Sequence, residues 1–255
     1  MTMTLGALAV ALAIFAGLLL AIEGGYRLGR LAVKADRRSG DTKTGAHMGA
    51  VQGATLGLLG LLLGFSFAGS AGRYIERQDL ITNEANAVST AYLRAELLRA
   101  PHGVDLRLAL REYVAHRIEA SQSLRLSLRE QDAARITDFH DRIWSAASKG
   151  VREQTELATP ILNPVNDVLD LHASRVASGR KHLPGLVLGL LAMCSALAMA
   201  SMGYGCGLMG RRNLSITAPL AVLIGAAMWT IIDLDYARIG LIQVSDQALI
   251  DLDLR

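Results

Sequence analysis

Residues 48–72 read MGAVQGATLGLLGLLLGFSFAGSAG and carry no charged side chain. A helix rises 1.5 Å per residue, so about 20 apolar residues cross the roughly 30 Å hydrocarbon core of a bilayer. This stretch is long enough. Three more qualify: 5–22, 183–210 and 213–232 are each free of charge. Elsewhere charges interrupt every apolar run. The fold expected is an all-α integral membrane protein with four transmembrane helices and an extramembrane helical bundle between the second and third.

Composition agrees. Hydrophobic residues make up 51% of the 255, charged residues 19% and aromatics only 5%. Mean hydropathy is +0.32. Leu, Ala, Ile and Val with 25 Gly suit lipid-embedded helices better than a β-rich core. The net charge of +3 does not by itself suggest a nucleic-acid surface, and no nucleic-acid partner is expected. Cys194 and Cys206 share one apolar run, without metal-site spacing, and read as free packing thiols.

Working outward from the second span, Gly49, Gly53, Gly57, Gly60 and Gly64 recur every three or four residues and so share one helix face. Small residues let membrane helices approach closely, where dispersion replaces the missing hydrophobic drive. Such a ridge either packs against another helix, of the same subunit or a neighbour, or lines a pore. Gln52, Thr55 and Ser66 add polar atoms that can bond across helices or face water. The first and third spans read as lipid-facing support.

Charge sets the expected topology. Met1-Thr2-Met3-Thr4 has no charged side chain, whereas Arg27, Arg30, Lys34, Arg37, Arg38 and Lys43 follow the first span. That order favours a retained helix over a cleaved signal, with the 25–46 loop in the cytoplasm. Arg211-Arg212, between the third and fourth spans, marks a tight hairpin on the same side. Residues 73–182 and the tail with Asp246, Asp251 and Asp253 then fall outside, although Arg180 and Lys181 abut the third span there. The expected location is a bacterial inner membrane, with the bundle on the periplasmic or extracellular side. Domain divisions fall at 1–72, 73–182, 183–233 and 234–255.

Beyond the second span a helix is predicted to continue over 73–99, with Ile81, Ala85, Val88, Tyr92 and Ala95 as its apolar stripe. Ala100-Pro101-His102-Gly103 breaks it. Further helices are predicted over 104–121 (Leu106, Leu110, Val114 and Ile118 inward), 130–158 (Ile136, Phe139, Ile143, Ala147 and Val151 inward) and 165–179. Breaks are predicted at Thr159-Pro160 and Asn163-Pro164. No period-two strand pattern occurs, so an antiparallel bundle is expected. Its 16 basic and 15 acidic residues nearly cancel, as on a solvated face.

No Walker loop, HExxH, CxxC or nucleophile elbow is present, and the chain reads as a non-enzyme without catalytic residues, metal or cofactor. The six histidines (47, 102, 116, 140, 172 and 182) are scattered. Asp138-Phe-His140-Asp141 and Asp167-x-x-Asp170-x-His172 place potential ligands on one face, a pattern that charged amphipathic helices produce by chance. The most informative polar cluster follows the fourth span: Asp233 and Asp235 stand at a helix C-terminus, where the dipole disfavours negative charge. Arg238, Arg73 and Arg77 are the candidate partners. Two readings follow, a salt-bridged membrane-edge anchor or a charged ring at a pore mouth.

Two stretches resemble the bestrophin-like family of bacterial membrane proteins. The first is Gly64-Phe65-Ser66-Phe67 through Arg73-Tyr74-Ile75-Glu76-Arg77, with Asn83-Glu84-Ala85-Asn86-Ala87-Val88-Ser89-Thr90-Ala91-Tyr92-Leu93-Arg94, similar to an "EANAIGTAYLR" run. Glu84, Asn86, Tyr92 and Arg94 carry that motif. The second is Asp233-Leu234-Asp235-Tyr236-Ala237-Arg238-Ile239-Gly240 with Val244-Ser245, similar to "DLDRPRxG…VS". Tyr236-Ala237 stand where the pattern has Arg-Pro. Residues 163–170 are similar to an "LNxxxD" element. The resemblance implies kinship with bestrophins, oligomeric anion channels with four membrane helices, and hence a homo-oligomer in the lipid bilayer with inorganic ions as partners. Bestrophins keep their helical region in the cytoplasm, opposite to the side the charge rule gives here. The other reading is a non-conducting scaffold or sensor whose bundle binds a partner or ligand, motivated by the Ile81/Val88/Tyr92 helix.

Overall fold

A computed structural model describes residues 2–36, 44–122, 129–236 and 240–254. Eight helices occur among them: α1 Thr2–Asp36, α2 Thr44–Arg94, α3 His102–Gln122, α4 Arg129–Glu153, α5 Ala158–Arg180, α6 Gly185–Met209, α7 Leu214–Asp235 and the short α8 Gln247–Ile250. No strand is present among the described residues. Four helices are long and apolar enough to cross a membrane. The chain divides into two compact units, residues 1–74 with 182–243 and residues 75–181 with 244–255. Helix α2 contributes to both.

The first unit contains α1, the first part of α2, α6 and α7. Its apolar core joins Leu18, Leu59, Ala198, Met199, Ala221, Ile224 and Met228. The closest packing is between α1 and α6, which corrects the reading of the first and third spans as support. A Cβ on Gly25 would overlap the Ala200 carbonyl oxygen, and one on Gly203 the Ile22 carbonyl oxygen. Gly29 and Gly207 repeat the arrangement one turn on, against the Tyr204 and Tyr26 carbonyl oxygens. Four glycines at i,i+4 spacing thus bring two backbones together, the small-xxx-small solution to packing without a hydrophobic drive. Gln52 extends the contact: its Nε2 donates to the Ser201 carbonyl at 2.7 Å, a cross-helix bond of the kind that joins membrane segments.

A second correction concerns the expected 25–46 loop. Helix α1 continues to Asp36. Leu28, Leu31, Ala32, Val33 and Ala35 are residues a helix accommodates, and no proline intervenes. Glu23 and Arg27 add an i,i+4 ion pair at 2.9 Å. Arg37, Arg38 and Lys43 lie outside the described residues. The α6–α7 hairpin is tight, as expected. Gly210 ends α6 with φ of 70°, the left-handed cap that glycine takes without Cβ strain. Arg212 then reaches α1, bonding Glu23 at 3.1 Å and lying 4.7 Å from the Tyr26 ring centroid.

The second unit is an antiparallel bundle of the C-terminal part of α2 with α3, α4 and α5. The predicted stripes are its core: Ile81, Ala85, Val88, Tyr92 and Ala95 are buried, as are Leu106, Leu110, Val114, Ile136, Ile143, Ala147 and Val151. Ile118 and Phe139 pack against them while partly exposed. The predicted breaks at Pro160 and Pro164 do not occur, because α5 starts at Ala158 and passes both. Pro160 sits in the first turn, where an N–H has no intrahelical acceptor to lose. Pro164 frees the Pro160 carbonyl, and Arg94 Nη1 takes it at 3.0 Å. The tail is part of this unit: Leu249 is buried against Ile81 and Ala85, and Gln78 exchanges two bonds with the Ser245 backbone at 2.9 and 3.0 Å.

Candidate functional site

Two buried polar clusters stand out, one in each unit. In the first, Asp235 ends α7, where the dipole repels a carboxylate, so its burial to 1% exposure demands donors. Arg73 Nε donates to Oδ1 at 2.8 Å, and the Leu183 amide donates to Oδ2 at 2.9 Å. His182 Nδ1 lies 3.4 Å from the same carboxylate, and its ring stacks on Tyr236 at 4.5 Å between centroids. One side chain therefore ties the end of α7 to α2 and to the strap before α6. Arg73 is held in turn by the Ser70 hydroxyl at 3.0 Å.

Asp233 is also buried and points forward along the chain. The Leu241 amide donates to its Oδ1 at 2.9 Å and the Ile242 amide to its Oδ2 at 2.7 Å. A Cβ on Gly240 would overlap that carboxylate, so only glycine lets the turn close over it. This explains the spacing of the DLD…G motif: the acid and the glycine are two halves of one backbone clasp. The sequence pattern contained both residues, but their contact was not read from it. Both carboxylates are thus engaged by partners within the chain. Of the other candidate partners, Arg77 donates to the Lys181 carbonyl at 2.6 Å and to the Ser178 carbonyl at 3.4 Å, capping the C-terminus of α5. Arg238 lies outside the described residues.

The second cluster surrounds Glu84, which is fully buried on the inward face of α2, beside Ile81, Ala85 and Val88. A carboxylate taken out of water costs several kcal/mol unless charges and donors replace its hydration. Here α3 and α5 supply them. Tyr113 Oη donates a short bond to Glu84 Oε1. Arg117 Nε approaches that oxygen at 3.4 Å, and Arg175 Nε approaches Oε2 at 3.1 Å. Arg175 also faces Asp246 of the tail at 3.8 Å. His172 Nδ1 is 3.2 Å from Tyr113 Oη. Since a phenol has one proton and that proton goes to Glu84, His172 Nδ1 is the donor to the phenol oxygen. His140 completes the group, its ring 5.0 Å from that of His172, edge to face. Burial, then the Glu84 charge, holds Tyr113 well above the ordinary phenol range, so it keeps its proton. Burial lowers His140, and burial together with the Arg117 charge brings His172 down to about 4.

The family-motif residues divide accordingly. Glu84 is the centre of this cluster. Tyr92 Oη donates to the Leu254 carbonyl at 3.1 Å and accepts from Arg111 Nη2 at 2.6 Å. Arg94 satisfies the carbonyl that Pro164 leaves open. Asn86 is exposed, its carbonyl accepting from Thr90 Oγ1 at 2.9 Å. Tyr113, Arg117, His140, His172 and Arg175 were not predicted as a site. They come from three helices and only the fold brings them together. Glu84 lies three residues after Ile81 and four before Val88, a spacing that could have placed this acid on the buried face and so pointed to partners.

Of the contacts open to the predicted ridge, packing within the chain does not occur. Gly49, Gly53, Gly57, Gly60 and Gly64 are all exposed, and a Cβ on any of them would meet nothing within 4 Å. The opposite face of α2 is the packed one, with Leu59, Ser66 and Ser70 buried. Among the described residues, no group of three or more His, Cys, Asp and Glu side chains is placed to hold a metal ion, and both cysteines are free.

No similar curated protein and no similar solved structure was found. The family described as Bestrophin-like domain matches residues 18–249, nearly the whole chain. With the "EANA" acid as the centre of the bundle and the DLD…G clasp at the end of α7, the chain belongs to the Bestrophin-like domain family.

Proposed function

We propose that this membrane protein forms a homo-oligomer in which the glycine faces of α2 surround a path for ions, in the manner of an anion channel. The observation that carries the reading is the uncovered ridge: five aligned glycines, no charge, and no neighbour within the subunit. Facing lipid, such a surface gains little dispersion contact. Facing a second backbone or a narrow path, its smoothness is an advantage. Membership in a family named for bestrophins supports the reading at a distance, since fold does not fix function. The scaffold or sensor reading loses its motive, because Ile81, Val88 and Tyr92 are buried inside the bundle and offer no docking stripe.

For location, the reading is a bacterial cytoplasmic membrane with the bundle on the periplasmic side, opposite to the side bestrophins use. Its support is the charge rule, together with the pairing of Arg212 with Glu23, which sets the hairpin turn beside the basic part of α1.

The test is flux. Purified protein in liposomes is expected to be larger than a monomer by native mass measurement and to pass chloride under an imposed voltage. Gly57→Leu is expected to abolish the flux. Folded, oligomeric protein that passes neither anions nor cations at any voltage would sink the proposal.

A further inference from the structure

We infer that the His140–His172 pair makes the helical bundle acid-sensitive: a proton taken up there puts a new cation in a buried cluster that already holds the Arg117 charge and loosens α4 and α5 from α2 and α3.

The charges facing the pair come from every element around it. Helix α2 contributes Glu84, α3 contributes Tyr113 and Arg117, α4 contributes His140 itself with Asp141 next to it, and α5 contributes His172 and Arg175. The tail adds Asp246 against Arg175. With both imidazoles neutral, the interior acids Glu84 and Asp246 balance the interior bases Arg117 and Arg175. The cluster is then closed: Glu84 is wholly inaccessible, and Arg117 and Arg175 are each under a tenth exposed. His140 Nε2 is buried without a hydrogen-bond partner among the described residues, so no acceptor awaits a proton on that atom.

His172 is more constrained. Its Nδ1 proton is committed to Tyr113 Oη, whose own O–H donates to Glu84. A second proton must therefore go to Nε2, giving a buried imidazolium within reach of the Arg117 charge. His140, 5.0 Å away, is held in the same surroundings, so a charge on one ring opposes a charge on the other. Glu84, whose Oε1 lies 3.9 Å from His172 Nδ1, favours the cation, but burial outweighs it and the cluster favours two neutral histidines.

The direction with pH follows. The folded pKa of His172, about 4, lies below its ordinary 6.5. Between those values the opened chain binds the proton and the closed bundle does not. Stability is therefore fully present above about pH 6.5 and is lost progressively as pH falls towards 4. His140 works in the same direction.

The experiment uses the full chain in detergent or nanodiscs. Amide hydrogen exchange, corrected for its intrinsic pH dependence, is followed in α4 and α5 at about pH 7 and about pH 5. The expected result is an opening about tenfold or more greater at the lower pH in the wild type, and a pH response clearly reduced in the His140→Gln/His172→Gln double variant. The same response in both proteins would overturn the inference. Should the double variant not fold, imidazole NMR of the wild type decides: His172 remaining neutral well below pH 6.5 while the bundle is closed supports it, and an ordinary titration near 6.5 refutes it.

Discussion

The same chemical change is expected to have opposite consequences in two of the spans. Gly203→Ala adds a methyl where α6 meets α1. The new carbon would lie 2.8 Å from the Ile22 carbonyl carbon, 3.0 Å from its Cα, and closer still to its oxygen. Carbon atoms pack at about 3.5–4.0 Å. No rotamer relieves the overlap, because both sides are backbone, so the helices must part by about 1 Å. Such overpacking costs about 1–3 kcal/mol, and alanine's better helix propensity returns about 1 kcal/mol. The net loss, up to about 2 kcal/mol, corresponds to a fall in Tm of up to roughly 8 °C for a chain of this size. Gly57→Ala has the same propensity gain and meets nothing within 4 Å. The subunit should be unchanged or more stable by up to about 1 kcal/mol. Thermal unfolding in detergent gives the first comparison. The second is the rate at which a maleimide labels Cys206, which is buried in α6 between Gly205 and Gly207. In a Cys194→Ala background, Gly203→Ala should accelerate labelling and Gly57→Ala should not. Equal effects of the two substitutions on Tm and labelling would refute the argument that α1 and α6, not the α2 ridge, form the tight contact of the subunit.

Asp235→Ala strands Arg73 and the Leu183 amide beside a buried site, and breaking such a pair costs about 3–5 kcal/mol. In a double-mutant cycle with Arg73→Ala the losses should fall short of additive by about 1–3 kcal/mol, and additive losses would show that the pair is not coupled. Ser121→Cys, at the end of α3, in a background whose native cysteines are alanine, should label from outside the cytoplasm, whereas labelling only from the cytoplasmic side would reverse the proposed orientation.

The four spans and the bundle stripes could be read from residue order alone, because each depends on a local property. Charge-free length decides whether a helix can sit in lipid, and a 3.6-residue period decides which face is buried. Ile81, Val88, Leu110 and Ile143 went where that period put them. Prolines misled because their effect depends on what happens to the freed carbonyl, and Arg94, sixty-six residues from Pro160, answers that.

Glycine spacing drew attention to α2 alone, but spacing does not say which ridge meets a neighbour. That is decided by where two backbones meet, and within the subunit Gly25, Gly29, Gly203 and Gly207 meet while the five of α2 do not. Sequence likewise exposed Asp233 and Asp235 as acids at a helix end that penalises charge, whereas Glu84 was read only as a motif residue and its burial is a finding of the fold. Only the tertiary structure chose their partners: the Leu241 and Ile242 amides for the first, Arg73 for the second, and Tyr113, Arg117 and Arg175 for the third. A penalty on a buried charge is a property of one residue and its local setting. Its compensation is a matter of distance between residues far apart in the chain, which folding alone brings together.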